Sequence, residues 1–430
     1  MNKIIKHLGF SFTFIITFSF AFLFTKQSIF AEPLLVDKNN FPDPVLRQAV
    51  LDTYTYICDD AGNFVTDEKG NYYVESDYIT SIYCYGKMGV KNLKGIELLN
   101  NLEAVHLRNS RFTVADFSNN AKLKIVEITG TNVKDMKLYN NYTLTTLSIN
   151  APAFESDISK YPNLSRLSIV TDKLTSLDVS AFTKLKRFTL KAKNIKKLDF
   201  SGNTKLFSIT LTDCNNLRSV SFDESLPLES VCIKNSPKLT TIDISKSLKL
   251  NYLDITNCGI TGIDVSKNKE LTSLRLPFNR KLSSIDISKN KELIELNIGS
   301  TAINRLNTSR NVKLENLYVY NTQIKSLNLK NNKALIDICF NGSRIKSLPL
   351  NKLYKDITIT YYDVRPGTAF SLSSFIGKGY KASTASNKSI SYNSQTGGIK
   401  TARPKNKQDY DSITLKKGKL TYKINIFYTP

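Results

Sequence analysis

The chain has 430 residues, of which 41% are hydrophobic and 10% aromatic, so it holds enough apolar material to build a core and is not a disordered polymer. Sixty Lys and Arg against 37 Asp and Glu give a formal charge of +23, which points to an anionic partner or surface. With two histidines and no tryptophan there is little material for imidazole or metal chemistry, and no enzyme is expected.

The chain begins with a basic start, Lys3 and Lys6, followed by an uncharged apolar run from Leu8 to Phe24. Ser28-Ile29-Phe30-Ala31 then offers a small residue ahead of Glu32, so residues 1–31 read as a secretory signal peptide. The alternative is an uncleaved anchor, because the run is near the shortest length that spans a bilayer. Cleavage removes Lys3, Lys6 and Lys26 and leaves a charge of +20 on an exported, extracellular chain. No later stretch is apolar enough to span, so the mature chain is expected to lack a transmembrane segment. Export would expose six cysteines to oxidising conditions. Two readings stay open: a Cys58–Cys84 disulfide, or six free thiols.

Residues 32–98 read as a cap. Phe41-Pro-Asp-Pro-Val-Leu-Arg-Gln-Ala-Val-Leu51 is a short helix entered through proline. Asn63 to Val74 is a hairpin turning at Lys69-Gly70. The acidic stretch from Asp59 to Glu68 lacks the ligand spacing of a calcium loop, so it reads as a solvated hairpin. No metal and no cofactor are expected.

From residue 99 to 353 one pattern repeats. Leu-x-x-Leu-x-Leu half-units begin at Leu102, Leu123, Leu144, Leu164, Leu185, Leu206, Leu228, Leu250, Leu271, Leu293, Leu314 and Leu335. A second half-unit follows each, from Phe112 through Ile260 to Ile345, and only Phe154 to Ile158 breaks it. Apolar residues at offsets 0, 3 and 5 fit a short strand pointing two side chains inward, followed by a bend that tucks in a third. A period in the twenties built this way is the leucine-rich-repeat signature. The expected fold is an α/β-solenoid-type leucine-rich repeat, mostly β, with about twelve coils of 21–22 residues. Small polar residues recur at two turn positions. Ser110, Thr131, Cys214, Ser236, Cys258, Asn279, Thr301, Thr322 and Ser343 form one column; Asn120, Asn141, Asn203, Asn268, Asn290, Asn311 and Asn332 form the other. Both read as ladders that satisfy turn backbone. A column of Asp178, Asp199, Asp243, Asp264 and Asp286 runs along the back and continues as Asn307 and Asn328.

The Phe-Pro-Asp-Pro entry, Leu93-Lys-Gly-Ile-Glu-Leu-Leu-Asn-Asn-Leu102 and Leu282-Ser-Ser-Ile-Asp-Ile-Ser-Lys-Asn-Lys-Glu-Leu293 resemble internalin-type leucine-rich proteins. The Leu-x-x-Leu-Asp-Val-Ser-x-Asn half is internalin J-like. The resemblance covers roughly residues 36–350 and implies a non-catalytic, secreted or cell-surface protein of Gram-positive bacteria, adhesin-like, that binds a host or microbial surface protein or glycan.

Residues 354–430 lose the leucine pattern and alternate as strands, which reads as a small β-sandwich, Ig-like in a loose sense. Fourteen Lys and Arg between Lys352 and Lys423 face only Asp356, Asp363, Asp409 and Asp411, a balance of +10. The alternative function follows: an envelope-associated structural protein held to anionic cell-wall polymers by this domain. Export makes nucleic acid a poor partner. Within the array, the outward offsets of the first half-strand should form a concave recognition face. Its candidate residues are Tyr252, Arg275, Asn316, Tyr318 and Tyr320, with Arg166, Arg187 and Lys191 as a second, basic cluster. His106 occupies an outward position without an evident triad partner.

Overall fold

The computed structural model describes residues 33–85, 89–130, 132–138, 142–223, 226–348, 350, 356–364, 369–376, 378–385, 390–401 and 410–428. The leader expected over 1–31 lies outside these residues, as do the ladder positions Thr131 and Asn141. The chain divides into two compact units that meet between Lys173 and Leu174. Both are β-solenoid, with about thirteen turns in all.

In the first unit, the helix Pro44–Leu51 starts where proline tolerates the unpaired N-terminus. Asp43 caps it, accepting from the amides of Val45 (2.9 Å) and Leu46 (3.1 Å). Its other oxygen accepts from Lys91 N (2.7 Å), so one carboxylate ties the helix to the segment entering the repeats. Asp59 and Asp67 each fold a loop onto themselves, accepting from the Asn63 and Asn71 amides at 2.8 Å. The front sheet then runs in parallel through Ser81–Cys84, Ala104–Arg108, Ile125–Thr129, Thr146–Asn150 and Arg166–Val170. The strand Ser81–Cys84 is the extra turn beyond the twelve expected. In its coil Ile79, Ile82 and Cys84 occupy offsets 0, 3 and 5 and are all buried, with isoleucine and cysteine standing where the pattern has leucine. The irregular coil at Phe154 still fills the core, since Phe154 and Ile158 are both buried.

In the second unit the front sheet runs through Arg187–Lys191, Ser208–Thr212, Ser230–Lys234, Tyr252–Thr256, Ser273–Arg275, Glu295–Asn297, Asn316–Tyr318 and Asp337–Cys339. All pairs are parallel and in register, Leu253 on Leu274 and Leu274 on Leu296 for example. The sheet does not stop with the leucines. Ile357–Val364 pairs in parallel with Asp337–Cys339, followed by Leu420–Tyr428, Tyr410–Lys417 and Lys381–Ala385. A separate antiparallel sheet joins Ala369–Ser371, Gly398–Thr401 and Ile390–Asn393. The last strands thus continue the ladder while covering its end, which would otherwise expose apolar core.

Each coil buries its leucines and isoleucines against the next, at roughly 1.5–3 kcal/mol per side chain. The turns need polar help, because their carbonyls are buried with no strand to pair. The asparagine column supplies it. Asn290 Nδ2 donates to Val265 O (2.9 Å) and Asn268 O (2.8 Å) of the preceding coil. Asn311 and Asn332 repeat this contact coil by coil. In the other column Asn279 Nδ2 donates to Ile255 O (2.6 Å), and Cys258 Sγ takes the same role weakly toward Ile233 O (3.6 Å). A third position emerges just after the front strand. Asn109, Asp213, Asn235, Asn257, Phe278, Ser300 and Asn321 all have φ between 52° and 63°, and Gly130 and Gly342 take 67° at the equivalent place. Asn, Asp and Gly are the residues that tolerate this left-handed geometry.

The back Asp column is structural. Asp178, Asp243, Asp264 and Asp286 each accept from the amide two residues on, and Asp178 and Asp199 also accept from that serine's hydroxyl. These bonds hold the carboxyls below the ordinary range. Among the described residues no group of three or more His, Cys, Asp or Glu could hold a metal, and no helix is long and apolar enough to cross a membrane.

Replacing Asn290 by Ala strands two buried carbonyls and should cost roughly 2–4 kcal/mol. Asn331→Ala, which removes an exposed contact to Ser309 O (3.0 Å), should cost under about 0.5 kcal/mol. Thermal and urea denaturation of the two variants checks the contrast; equal losses would reject the ladder as an inter-coil clamp.

Candidate functional site

The outward side chains of the front strands form regular rows, because alternate residues of each strand face away from the core. In the second unit these rows carry a continuous polar network. Asp254 sits at its centre and is 0% exposed although it lies on the outward side. Lys234 Nζ lies 3.1 Å from its Oδ2, the Tyr252 hydroxyl donates to it at 3.3 Å, and Thr256 Oγ1 donates to Oδ1. Arg275 bridges onward: its Nε is 3.8 Å from Asp254, and its Nη1 is 3.3 Å from Glu295 Oε1. Burial works against the Arg275 charge, but Glu295 and Asp254 outweigh it and raise the guanidinium above its ordinary pKa. Burial and then the Asp254 charge push the Tyr252 phenol up to about 12, so it stays a neutral donor. Ser273 Oγ completes Glu295 at 2.8 Å.

Farther along the same face, the Tyr318 hydroxyl donates to Asp337 Oδ2 at 2.9 Å, and Thr360 Oγ1 donates to Asp337 Oδ1 at 2.9 Å. Asn316 stands beside Asp337 in the sheet register. Tyr252, Arg275, Asn316 and Tyr318 therefore share one face, on consecutive or near-consecutive strands.

Tyr320 does not join them. It is only 6% exposed, packed edge-to-face on Phe278 with centroids 6.3 Å apart. Its ring occupies the space above Gly299, where an added Cβ would lie 2.2 Å from it. The strand has ended by this position, and a glycine on the neighbouring coil lets the ring fold down. Arg187 stacks its guanidinium over Phe207 at 4.6 Å, and Lys191 pairs with Asp213 at 2.6 Å. Arg166 belongs to the first unit and the other two to the second.

Sequence reasoning missed Lys234, Asp254, Glu295 and Asp337, which hold the tyrosines and Arg275 in place. They occupy the same outward offsets, so the signal lies in the sequence, but aromatic and arginine content marks an interface anchor more directly than a carboxylate does. It also missed a cluster in the first unit. Tyr83 stacks on His106 at 4.6 Å with rings 7° from parallel, and Glu127 Oε2 lies 3.0 Å from His106 Nδ1. Arg108 lies 4.7 Å over Tyr85, while Tyr83 and Tyr85 remain 50% and 52% exposed. His106 thus has partners, supplied by strands that flank its own. Cys58 and Cys84 are both free thiols: Cys58 is exposed on the hairpin arm, while Cys84 faces the core, where burial pushes its thiol up to about 12.

Burial raises the Asp337 carboxyl above its ordinary value, against the hydrogen bonds from Thr360 and Tyr318. A raised acid binds its proton more tightly in the folded chain. Its contribution to stability is therefore largest below the unfolded pKa and is lost as pH rises through the folded value. Asp337→Asn should become more stable relative to the parent as pH climbs from about 4 toward 7. Denaturation midpoints of the two proteins across that range test this, and a constant difference would contradict it.

No protein-family model and no curated protein matches the chain. Solved structures do. The functional domain of internalin J from Listeria monocytogenes, which includes a cysteine ladder, aligns over 93% of this chain and 99% of its own, at 19% identity and a TM-score of 0.50. Internalin C2 from Listeria monocytogenes aligns over 73% of this chain and 98% of its own, at 19% identity and a TM-score of 0.22. The TLR13–ssRNA13 complex aligns over 60% and 45%, at 16% identity and 0.36. With its leucine register, its asparagine ladder and the internalin J match over nearly its whole length, the chain has an internalin-type leucine-rich-repeat fold.

Proposed function

We propose that the protein is a secreted, non-catalytic binding module whose front sheet recognises a protein or glycan on a host or microbial surface. The observation that carries this reading is the preorganised row Tyr252, Arg275 and Tyr318, held in position by the buried Asp254 and by Glu295 and Asp337, with Asn316 on the same face beside Asp337. Tyrosine and arginine with little rotamer freedom left lose little entropy on binding, which is what an interface anchor requires. Lys234 and Arg275 balance Asp254 and Glu295, so this face is set up for directional hydrogen bonding and not for bulk charge attraction. The organisation that fits is a signal peptide (1–31), a cap (32–98), the repeat array (99–353) and a basic carboxy-terminal β domain (354–430).

The second reading, an envelope protein retained by the basic carboxy-terminal strands, rests on their charge. The two differ in salt response, since adsorption by charge weakens steeply once the Debye length falls below roughly 10 Å.

Binding of the full chain to epithelial cells and to Gram-positive cell walls, followed from about 0.05 to about 0.5 M salt (roughly a third of physiological ionic strength to three times it), separates them. Tyr252→Ala, Asn316→Ala and Arg275→Lys should each weaken salt-tolerant cell binding by about tenfold or more; Asn316→Ala should leave the melting temperature near the parent's, while the two changes beside the buried Asp254 should lower it without unfolding the chain at the assay temperature. Retention of full binding by all three rejects the front-sheet reading. Binding that vanishes at high salt and ignores these substitutions favours the envelope reading.

A further inference from the structure

On the back of the second unit the acidic residues drop out between neighbouring coils of one pattern. Ile260–Glu270 carries Asp264 and Glu270 against Lys267 and Lys269, net zero. The half-unit Leu282–Glu292 carries Asp286 and Glu292 against Lys289 and Lys291, again net zero, with Arg280 and Lys281 in the turn before it. The next half-unit, Ile303–Lys313, carries Arg305, Arg310 and Lys313 and no acid, net +3. Ile324–Ala334 carries Lys325, Lys330 and Lys333 and no acid, also +3, and Arg344 and Lys346 follow. Three alterations produce the change, one of them the loss of the closing glutamate, since Lys313 and Ala334 stand where the two earlier half-units end on Glu270 and Glu292. Ser283 and Ser284, or Thr261 and Gly262, give way to Arg305, Lys325 and Lys346 at the first outward offsets. The Asp of the back column gives way to Asn307 and Asn328.

The change from Asp to Asn isolates charge from structure. Asn307 Oδ1 accepts from Ser309 N at 3.0 Å and Asn328 Oδ1 accepts from Lys330 N at 3.1 Å, the same turn bond that Asp286 makes to Ser288 N at 2.8 Å. The fold therefore keeps its hydrogen bond and loses only the counter-charge. Arg305, Arg310, Lys325, Lys330, Arg344 and Lys346 are all exposed, and among the described residues none forms an ion pair. Lys313 is drawn off, to Glu292 of the coil before. The Asn332–Asn311–Asn290 ladder stacks these coils directly on one another, so the cations recur about every 4.8 Å along the stack.

We propose that this back face of the last repeats binds a flexible linear polyanion whose charges are phosphodiester groups. It is a different face from the front sheet, and at Ser347 it adjoins the carboxy-terminal segment, where the serine hydroxyl donates to Ser374 O at 3.3 Å. The cations are staggered over several offsets, so a flexible chain can follow them where a rigid rod would meet only some. Three of the six are arginines, whose planar fork takes two phosphate oxygens at once.

The test uses the full chain and poly(glycerol phosphate), with heparin as a sulfated comparison. Asn307→Asp/Asn328→Asp restores the carboxylates without removing a turn bond, and should weaken poly(glycerol phosphate) binding by about fivefold at low salt. Arg305→Ser/Lys325→Thr/Lys346→Ser should weaken it by about tenfold or more. Lys289→Ser/Lys291→Ser, on the neutral coil, removes two positive charges as well and should change it by less than about twofold. Melting temperatures show that each variant is folded, and the turn-preserving Asp pair keeps the test decisive should the triple variant unfold. Equal losses from the neutral-coil control and from the Asp pair overturn the site, leaving only net charge. Binding of heparin without poly(glycerol phosphate) overturns the phosphodiester assignment.

Discussion

The structure depends on one constraint: consecutive coils must stack in register closely enough that a buried amide reaches back to the previous turn. Asn268, Asn290, Asn311 and Asn332 do this with two donors each, to carbonyls that no strand can serve. The aliphatic column supplies most of the stabilisation, but it is non-directional. Leucine tolerates sliding; a pair of hydrogen bonds at 2.7–3.1 Å does not. The column fixes the spacing, and the spacing places every outward side chain.

The front face inherits this order. Because strands pair residue on residue, a side chain at one offset meets the same offset of the next coil. Asp254 thus lies beside Arg275, and Asn316 beside Asp337. A buried charge is tolerated only when paired and hydrogen-bonded. Asp254 meets that condition with Lys234, Arg275, Tyr252 and Thr256 around it. The same arrangement immobilises the tyrosines and the arginine that face outward. On the back, turn geometry demands only an acceptor at one offset, and Asp or Asn serves equally. That indifference leaves the charge of the back free to vary from coil to coil, as it does between Asp286 and Asn307.

Much of this was readable from residue order. Offsets 0, 3 and 5 identified the inward leucines, and Leu253, Ile255 and Ile260 are buried as that pattern requires. The recurrence of Asn at one turn position marked the ladder, because a small amide repeated in a buried place has few other uses. Tyr320 reads as outward from its offset, but its environment belongs to another coil: Gly299 leaves the room that its ring fills. His106 looked isolated for the same reason. Its stacking partner Tyr83 sits on a strand of the coil before, where Ile79 takes the place of leucine at offset 0, and Glu127 comes from the coil after.

By itself, then, the sequence determined the repeat, its period, the inward column and which residues could face outward, since these follow from local alternation and from the hydrophobic effect acting on each coil. Only the tertiary structure decided which outward residues are available. Exposure and charge pairing on a solenoid are set by neighbours about twenty residues away in the chain and about one strand spacing away in space. The burial of Asp254 and Tyr320, the company of His106 and the unopposed cations behind Asn307 and Asn328 all arise from that second distance.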